Sequence, residues 1–179
     1  MLLALILTAE ARPLQDPTWS VEAHTLAMQR DATGGFGAQV VGDKNGFLRI
    51  DGRSQASGDW LARGTAGFDV FGGWDFFDLT LGASMAGAGD WHDLAVYDRL
   101  GAGVELGVGF NVRAWHLTAR RVQPFADSPT MRGLDESEVR VSFDVTEHFT
   151  AYGTSLRIHP DFEDPNRQQA YGIGLRYVF

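Results

Sequence analysis

Residues 170–179 read Ala-Tyr-Gly-Ile-Gly-Leu-Arg-Tyr-Val-Phe (AYGIGLRYVF). The odd positions, Tyr171, Ile173, Leu175, Tyr177 and Phe179, are all large and apolar. The even positions, Ala170, Gly172, Gly174, Arg176 and Val178, are mostly tiny or charged. Successive side chains of an extended chain point to opposite sides, so this is a strand between two very different environments. The same split recurs upstream. Val139, Val141, Phe143 and Val145 oppose Glu138, Arg140, Ser142 and Asp144. Leu100, Ala102, Val104, Leu106, Val108 and Phe110 oppose Arg99, Gly101, Gly103, Glu105, Gly107 and Gly109. Leu79, Leu81, Ala83 and Met85 oppose Asp78, Thr80, Gly82, Ser84 and Ala86.

Weaker segments extend the pattern. On parity alone, 148–158 sets Tyr152, Thr154, Leu156 and Ile158 against Ala151, Gly153, Ser155 and Arg157. Segments 113–122, 60–70 and 47–53 alternate similarly, whereas 36–41 and 19–30 are irregular, with Leu26 and Met28 on the polar parity of Glu22 and His24. No stretch after residue 12 carries the helical 3.6-residue repeat. Tight turns are read at 42–46, 71–73, 108–112 and 145–148, and longer links at 31–35, 54–58, 87–94, 124–135 and 159–167. Short and long connections alternate, as in an up-and-down antiparallel meander with two unlike ends. The expectation is an all-β barrel of ten strands, or of eight with an N-terminal extension.

Composition decides which face is inside. Of 15 basic residues only Lys44 is lysine. Arginine is preferred where a charge is enclosed and paired, lysine where it is freely hydrated. A soluble lipocalin-like carrier would therefore present a Gly- and Arg-rich outer face to water, an unfavourable surface. In a membrane barrel the apolar parity faces lipid and the polar parity fills the lumen. That lumen would hold Arg49, Arg53, Arg63, Arg99, Arg120, Arg140, Arg157 and Arg176 against Glu22, Asp51, Asp69, Asp78, Glu105, Glu138 and Asp144, near balance in a chain of net charge −8. Enclosed charges are tolerated when paired and hydrogen-bonded, and the glycines leave room for guanidinium stems. Aromatics near strand ends, such as Trp19, Trp60, Phe110, Trp115 and Tyr177, suit a membrane–water boundary. Closure removes the sheet edges that lipid would not tolerate.

Other classes fall away. With no cysteine, the chain holds no disulfide framework, cysteine zinc site or thiol nucleophile. An acidic chain with pI near 5.0 is no nucleic-acid binder. Mean hydropathy is −0.15, and no apolar run is long enough for a spanning helix. Residues 1–11 combine an apolar run with Ala9-Glu10-Ala11, the small-x-small pattern of a cleavage site, and read as a short signal peptide ahead of one barrel domain at 12–179.

The terminal strand YGIGLRYVF, ending in Phe179 with Tyr177 and Tyr171 alternating before it, resembles that of small outer-membrane β-barrel proteins of Gram-negative bacteria, of the OmpA-like and OmpX-like kind. The resemblance implies a transmembrane barrel in the bacterial outer membrane. Tyr171, Tyr177 and Phe179 would be its signal to the barrel-assembly machinery, and the partners would be outer-membrane lipid and lipopolysaccharide. It implies no particular activity.

Candidate chemistry is sparse. His116 and Thr118 share a parity, and Glu138 lies on the facing parity of the next strand, the minimum for an acyl-transfer set in a lipid A-modifying enzyme. A lumen histidine bonded within the polar network is the simpler reading. The acidic runs 90–93 and 161–164 lack a recognised calcium-loop spacing and read as solvated loops. No Gly-rich stretch is followed by the Lys-Ser/Thr of a phosphate loop. No cofactor or metal is expected. A narrow barrel tends to be filled by its own side chains, so a salt-bridged plug is favoured over a small pore. The sequence therefore predicts a non-enzymatic, monomeric outer-membrane barrel whose outer loops 87–94, 124–135 and 159–167 carry any surface contacts.

Overall fold

The computed structural model describes residues 18–27, 32–41, 45–55, 57–71, 76–93, 95–97, 100–159 and 161–179. The signal-peptide reading at 1–11, the lumen assignment of Arg99, and most of the turns at 42–46 and 71–73 lie outside them. The described strands are β1 (Thr18–Ala27), β2 (Ala32–Val41), β3 (Gly46–Ser54), β4 (Asp59–Asp69), β5 (Phe77–Asp90), β6 (Ala95–Val96), β7 (Gly101–Val112), β8 (Trp115–Pro124), β9 (Glu136–Asp144), β10 (Phe149–Ile158) and β11 (Gln168–Val178). Ten are long and pair antiparallel with their sequence neighbours. β1 pairs with β11, and the β4–β5 ladder completes the cylinder. The two-residue β6 only adds to the rim of β5. The fold is a closed ten-strand barrel. β1 and β2 are full members, so the eight-strand alternative is set aside.

Apolar residues coat the outer wall because the strand parity aims them there. Leu106, Val141 and Leu175 are 49%, 47% and 59% exposed, whereas Glu105, between its outward neighbours, is 2% exposed. A water-soluble carrier requires the reverse. Closed pairing leaves no unsatisfied strand edge toward lipid.

The two ends differ. At one, strands meet through short turns beside the carboxy terminus, where Phe179 donates its backbone N–H to Trp19. Here aromatic rings contact in series: Phe71–Phe77–Phe110, Trp115–Phe143, and Phe149–Tyr177–Phe179. This is the girdle that amphipathic rings form at a membrane boundary. At the other end sit the long links.

Several boundaries differ from the sequence reading. Residues 108–112 are strand, and β7 turns only at Arg113–Ala114, with Arg113 at φ 56°. Alternation continues through Val112, and a two-residue hairpin supplies the reversal. Most of the supposed link 31–35 belongs to β2, and β5 runs on to Asp90. The expected absence of helix is also corrected. Loop 124–135 contains a short helix, α1 (Pro129–Leu134), led by a proline whose fixed φ suits a first turn. At six residues, α1 is too short for the periodicity signal to register.

Candidate functional site

The lumen is the site, and the strands that build it alternate charge with glycine. Gly174 faces the Tyr152 ring and Gly35 the His24 imidazole so closely that a Cβ at either position would collide. Small residues on one strand thus admit long side chains from the next.

Those side chains form one ionic lattice. Arg120 Nη2 lies 2.5 Å from Glu136 and 2.8 Å from Glu138. Glu136 also binds Arg63 at 3.0 Å and Arg53 at 2.7 Å. Arg63 reaches Asp51 at 2.6 Å, and Asp51 meets Arg49 at 3.2 Å. Arg49 pairs with Glu105, which lies 3.7 Å from Arg120 and closes the ring. A branch continues from Glu138 to Arg140 at 2.8 Å and on to Glu22 at 2.7 Å. Among the described residues this lattice unites five arginines with five carboxylates. Thr154 donates to Glu138 at 2.8 Å, and the Arg140 guanidinium stacks 4.1 Å from the Tyr152 ring centroid. Charge-assisted bonds of this density are what a low-dielectric enclosure requires.

Glu136 is the hub, and sequence reasoning missed it. It shares the parity of Glu138 and Arg140, and extending that strand by two residues would have found it. Arg176 lies in the lumen without a carboxylate ion pair among the described residues. Its Nη2 reaches Thr150 Oγ1 at 3.5 Å, and its Nε is buried without a bond. Asp69, Asp78 and Asp144 sit near the turn end, outside the lattice. Asp69 accepts the backbone N–H of Phe71 and Leu79, Asp78 accepts from Asn111 at 2.8 Å, and Asp144 accepts from Thr150 at 2.7 Å.

Arg157 is a correction. It is exposed on the outer wall, because β10 runs opposite to its assigned parity: Thr150, Tyr152, Thr154, Leu156 and Ile158 point inward. The reason is physical. The loop end of the interior is apolar, so there the greasy parity faces in. Leu26, Leu156, Ile158 and Ala170 form one buried cluster at that end. A second joins Leu61, Ala86, Ala88, Val122, Leu134 of α1 and Phe162 of the β10–β11 link, with Tyr97 and Met131 against it.

This second cluster closes the mouth and is pinned from below. Arg53 Nη2 donates to the Gly133 carbonyl at 2.7 Å, tying α1 to Glu136 and so to the lattice. Asp59 accepts the Phe162 N–H at 2.9 Å and the Tyr97 hydroxyl at 2.7 Å. Burial and the neighbouring Asp59 carboxylate push the Tyr97 phenol above its ordinary range, so it remains a donor. Arg132 of α1 donates to the Glu163 carbonyl at 2.6 Å, joining the two loops. Below the cluster a cavity of about 390 Å³ extends among the charges toward Asn45, Asp69, Asp78 and Asn111 at the turn end.

The His116, Thr118, Glu138 set is not brought together. One His116 ring nitrogen lies 2.8 Å from Asn111 Oδ1 and the other 2.8 Å from Asp144 Oδ2, while Glu138 belongs to the lattice. Of the terminal residues, Tyr171 and Phe179 stand exposed on the outer wall and Tyr177 packs in the girdle. Among the described residues no group of three or more His, Asp or Glu side chains is arranged to hold a metal ion.

No family model and no curated protein matches the sequence. Solved structures do match in shape. A KdgM porin in complex with disordered oligogalacturonate aligns at 10% identity with a TM-score of 0.52, covering 89% of this chain and 99% of that one. The NanC porin aligns at 9% identity and TM-score 0.47, over 89% and 98% of the two chains. Outer membrane phospholipase A from Escherichia coli aligns at 10% identity and TM-score 0.48, over 98% and 96%. The fold is that of an outer-membrane β-barrel. An apolar wall facing outward around an ionic interior agrees with a barrel set in a membrane.

Proposed function

We propose that this chain is a normally closed, non-enzymatic outer-membrane barrel, its lumen locked by the ionic lattice and its outer mouth sealed by α1 and Phe162. One observation carries the reading. Phe162 and Leu134 are wholly buried in the mouth, and both are tied to the barrel wall by buried polar groups, Asp59 and Arg53. Short turns face the periplasm and longer loops the exterior in such barrels. The seal therefore lies on the outer side, and the lumen cavity opens toward the periplasm. Loops 124–135 and 159–167 spend Met131, Leu134 and Phe162 on the seal, which leaves Phe125 and the acidic residues Asp127, Asp161 and Glu163 for contact with the surroundings.

Planar-bilayer recording tests this. The wild-type barrel is expected to be silent, and a Phe162→Ala, Leu134→Ala double variant to conduct. Steady wild-type conductance would overturn the closed reading in favour of a narrow pore. That second reading draws on the charged 390 Å³ cavity and on the porin fold neighbours. The non-enzymatic part rests on His116, both of whose ring nitrogens are engaged by Asn111 and Asp144. Lipid A profiles from cells producing His116→Ala should equal those of the wild type, and a changed profile would restore the lipid-modifying alternative.

A further inference from the structure

The misassigned Arg157 opens onto an arrangement on the outer wall that the lumen does not explain. Strand register places Arg121 of β8 beside Ser137 of β9, Ser137 beside Arg157 of β10, and Arg157 beside Gln169 of β11. All four lie on the outward parity and form one row across four strands. Toward the turns the same strands present Leu117 and Ala119, Val139 and Val141, Ala151 and Gly153, Ile173 and Leu175. Toward the loops they present Gln123, Asp135 and Arg167. The wall thus passes from lipid-facing apolar residues to a polar, basic band within one or two outward positions. The row stops at β8: on the adjoining β7, Ala102 and Val104, and farther round on β4, Trp60 and Ala62, keep the outward face apolar up to the loop end.

The row carries unspent charge. Arg121 pairs with Asp135 at 2.5 Å and donates to Ser137 and Gln123, with about a third of its side chain still exposed. Arg167 reaches the same Asp135 oxygen at 3.5 Å. Arg157 has neither an ion pair nor a hydrogen bond among the described residues. Three guanidinium groups against one carboxylate make a locally cationic patch on a chain of net charge −8. A guanidinium facing hydrocarbon is costly at the bilayer midplane and nearly free of cost near the interface, so an unpaired one belongs at headgroup depth.

We propose that this row is a lateral binding site for the phosphate groups of an outer-leaflet glycolipid of the lipopolysaccharide class. The inference rests on the outward orientation of the loops stated above. The planar guanidinium of Arg157 offers the bidentate fork that suits a phosphate, and Arg121 adds a second cation two strands away. Ser137, Ser155 and Gln169 supply neutral donors between and beside them. Ile173, Leu175, Val139 and Val141, directly below, offer acyl chains an apolar bed.

The test is native mass spectrometry of the full barrel in detergent, with bisphosphorylated lipid A as probe and fully dephosphorylated lipid A as comparison. Wild-type protein should retain the bisphosphorylated form selectively. Arg157→Ala should weaken retention about fivefold, and Arg121→Ala with Arg157→Ala about 25-fold, as expected when each arginine near an anionic surface contributes roughly one kcal/mol. Heat-shifted migration on gels verifies that each variant is folded. Unchanged retention by the double variant, or equal retention of dephosphorylated lipid A, overturns the site. Displacement of the lipid by equimolar inorganic phosphate would overturn the assignment to a lipid. Wild-type conductance would overturn the closed barrel while leaving lipid retention untouched, so the two proposals fail separately.

Discussion

Between Glu22 and Glu136 the barrel interior is a lattice of alternating charges, while nearer the loops Leu61, Val122, Leu134 and Phe162 pack an apolar plug that only Asp59 and Arg53 touch. Both regions lie inside the barrel, the mouth dry and the lattice bordering the cavity, and they are stabilised differently. The lattice depends on each ion having its counter-ion, since an enclosed charge left alone loses far more than a pair gains. The apolar mouth depends on shape and volume, and its failures are cavities. Arg53 joins the two, with one amine on Glu136 and the other on the Gly133 carbonyl. Damage in the lattice should therefore be electrostatic and global. Damage in the mouth should be local and visible first as leakage.

The largest expected effect is Glu136→Ala. It leaves the buried Arg53 without a carboxylate and takes one partner each from Arg63 and Arg120, and should cost on the order of 4 kcal/mol, read as a lowered heat-modifiability midpoint. Adding Arg53→Met should recover part of that loss; a strictly additive double variant would show that the lattice is not coupled. Next comes Phe162→Ala, at about 3 kcal/mol for the loss of a fully buried ring, with conductance appearing before the barrel unfolds. A smaller response is expected from Arg176→Met. Among the described residues Arg176 has no carboxylate ion pair, so removing it should leave stability unchanged or raise it by about 1 kcal/mol, and a large loss would reveal a role the lattice geometry does not account for.

The smallest effect concerns pH at the mouth. The Arg132 hydrogen bond holds the exposed Asp127 carboxyl below its ordinary range, and bonds from Asn166 do the same for Asp164. A carboxyl whose folded value is depressed contributes above its unfolded pKa, and that contribution fades as pH falls through the folded value. Acidification through and below the ordinary carboxylate range should therefore loosen the α1 latch. Protease cleavage in 125–135 should quicken there and stay flat from neutral to alkaline pH.

Much of this was legible in the chain. The terminal strand, and those around Val104, Val141 and Leu81, announce their two faces because lipid and an ionic lumen differ sharply in polarity. The arginine bias announces enclosure. Parity failed at β10 and at Leu26, where the interior itself is apolar and polarity no longer distinguishes inside from outside. It failed for Glu136 because a strand end is set by where pairing stops. α1 escaped notice because six residues span less than two helical turns.

The amino-acid order alone determined that this chain forms strands, that one face of most of them is lipid-compatible, and that the enclosed charges nearly balance. Those properties are local, written at period two along each segment. Only the closed barrel decided which arginine meets which carboxylate, that Glu136 is the hub, that Phe162 and Leu134 stop the mouth, and that Arg157 stands outside. These depend on register between strands far apart in sequence and on which chemistry fills each depth of the lumen, and neither is encoded in any single segment.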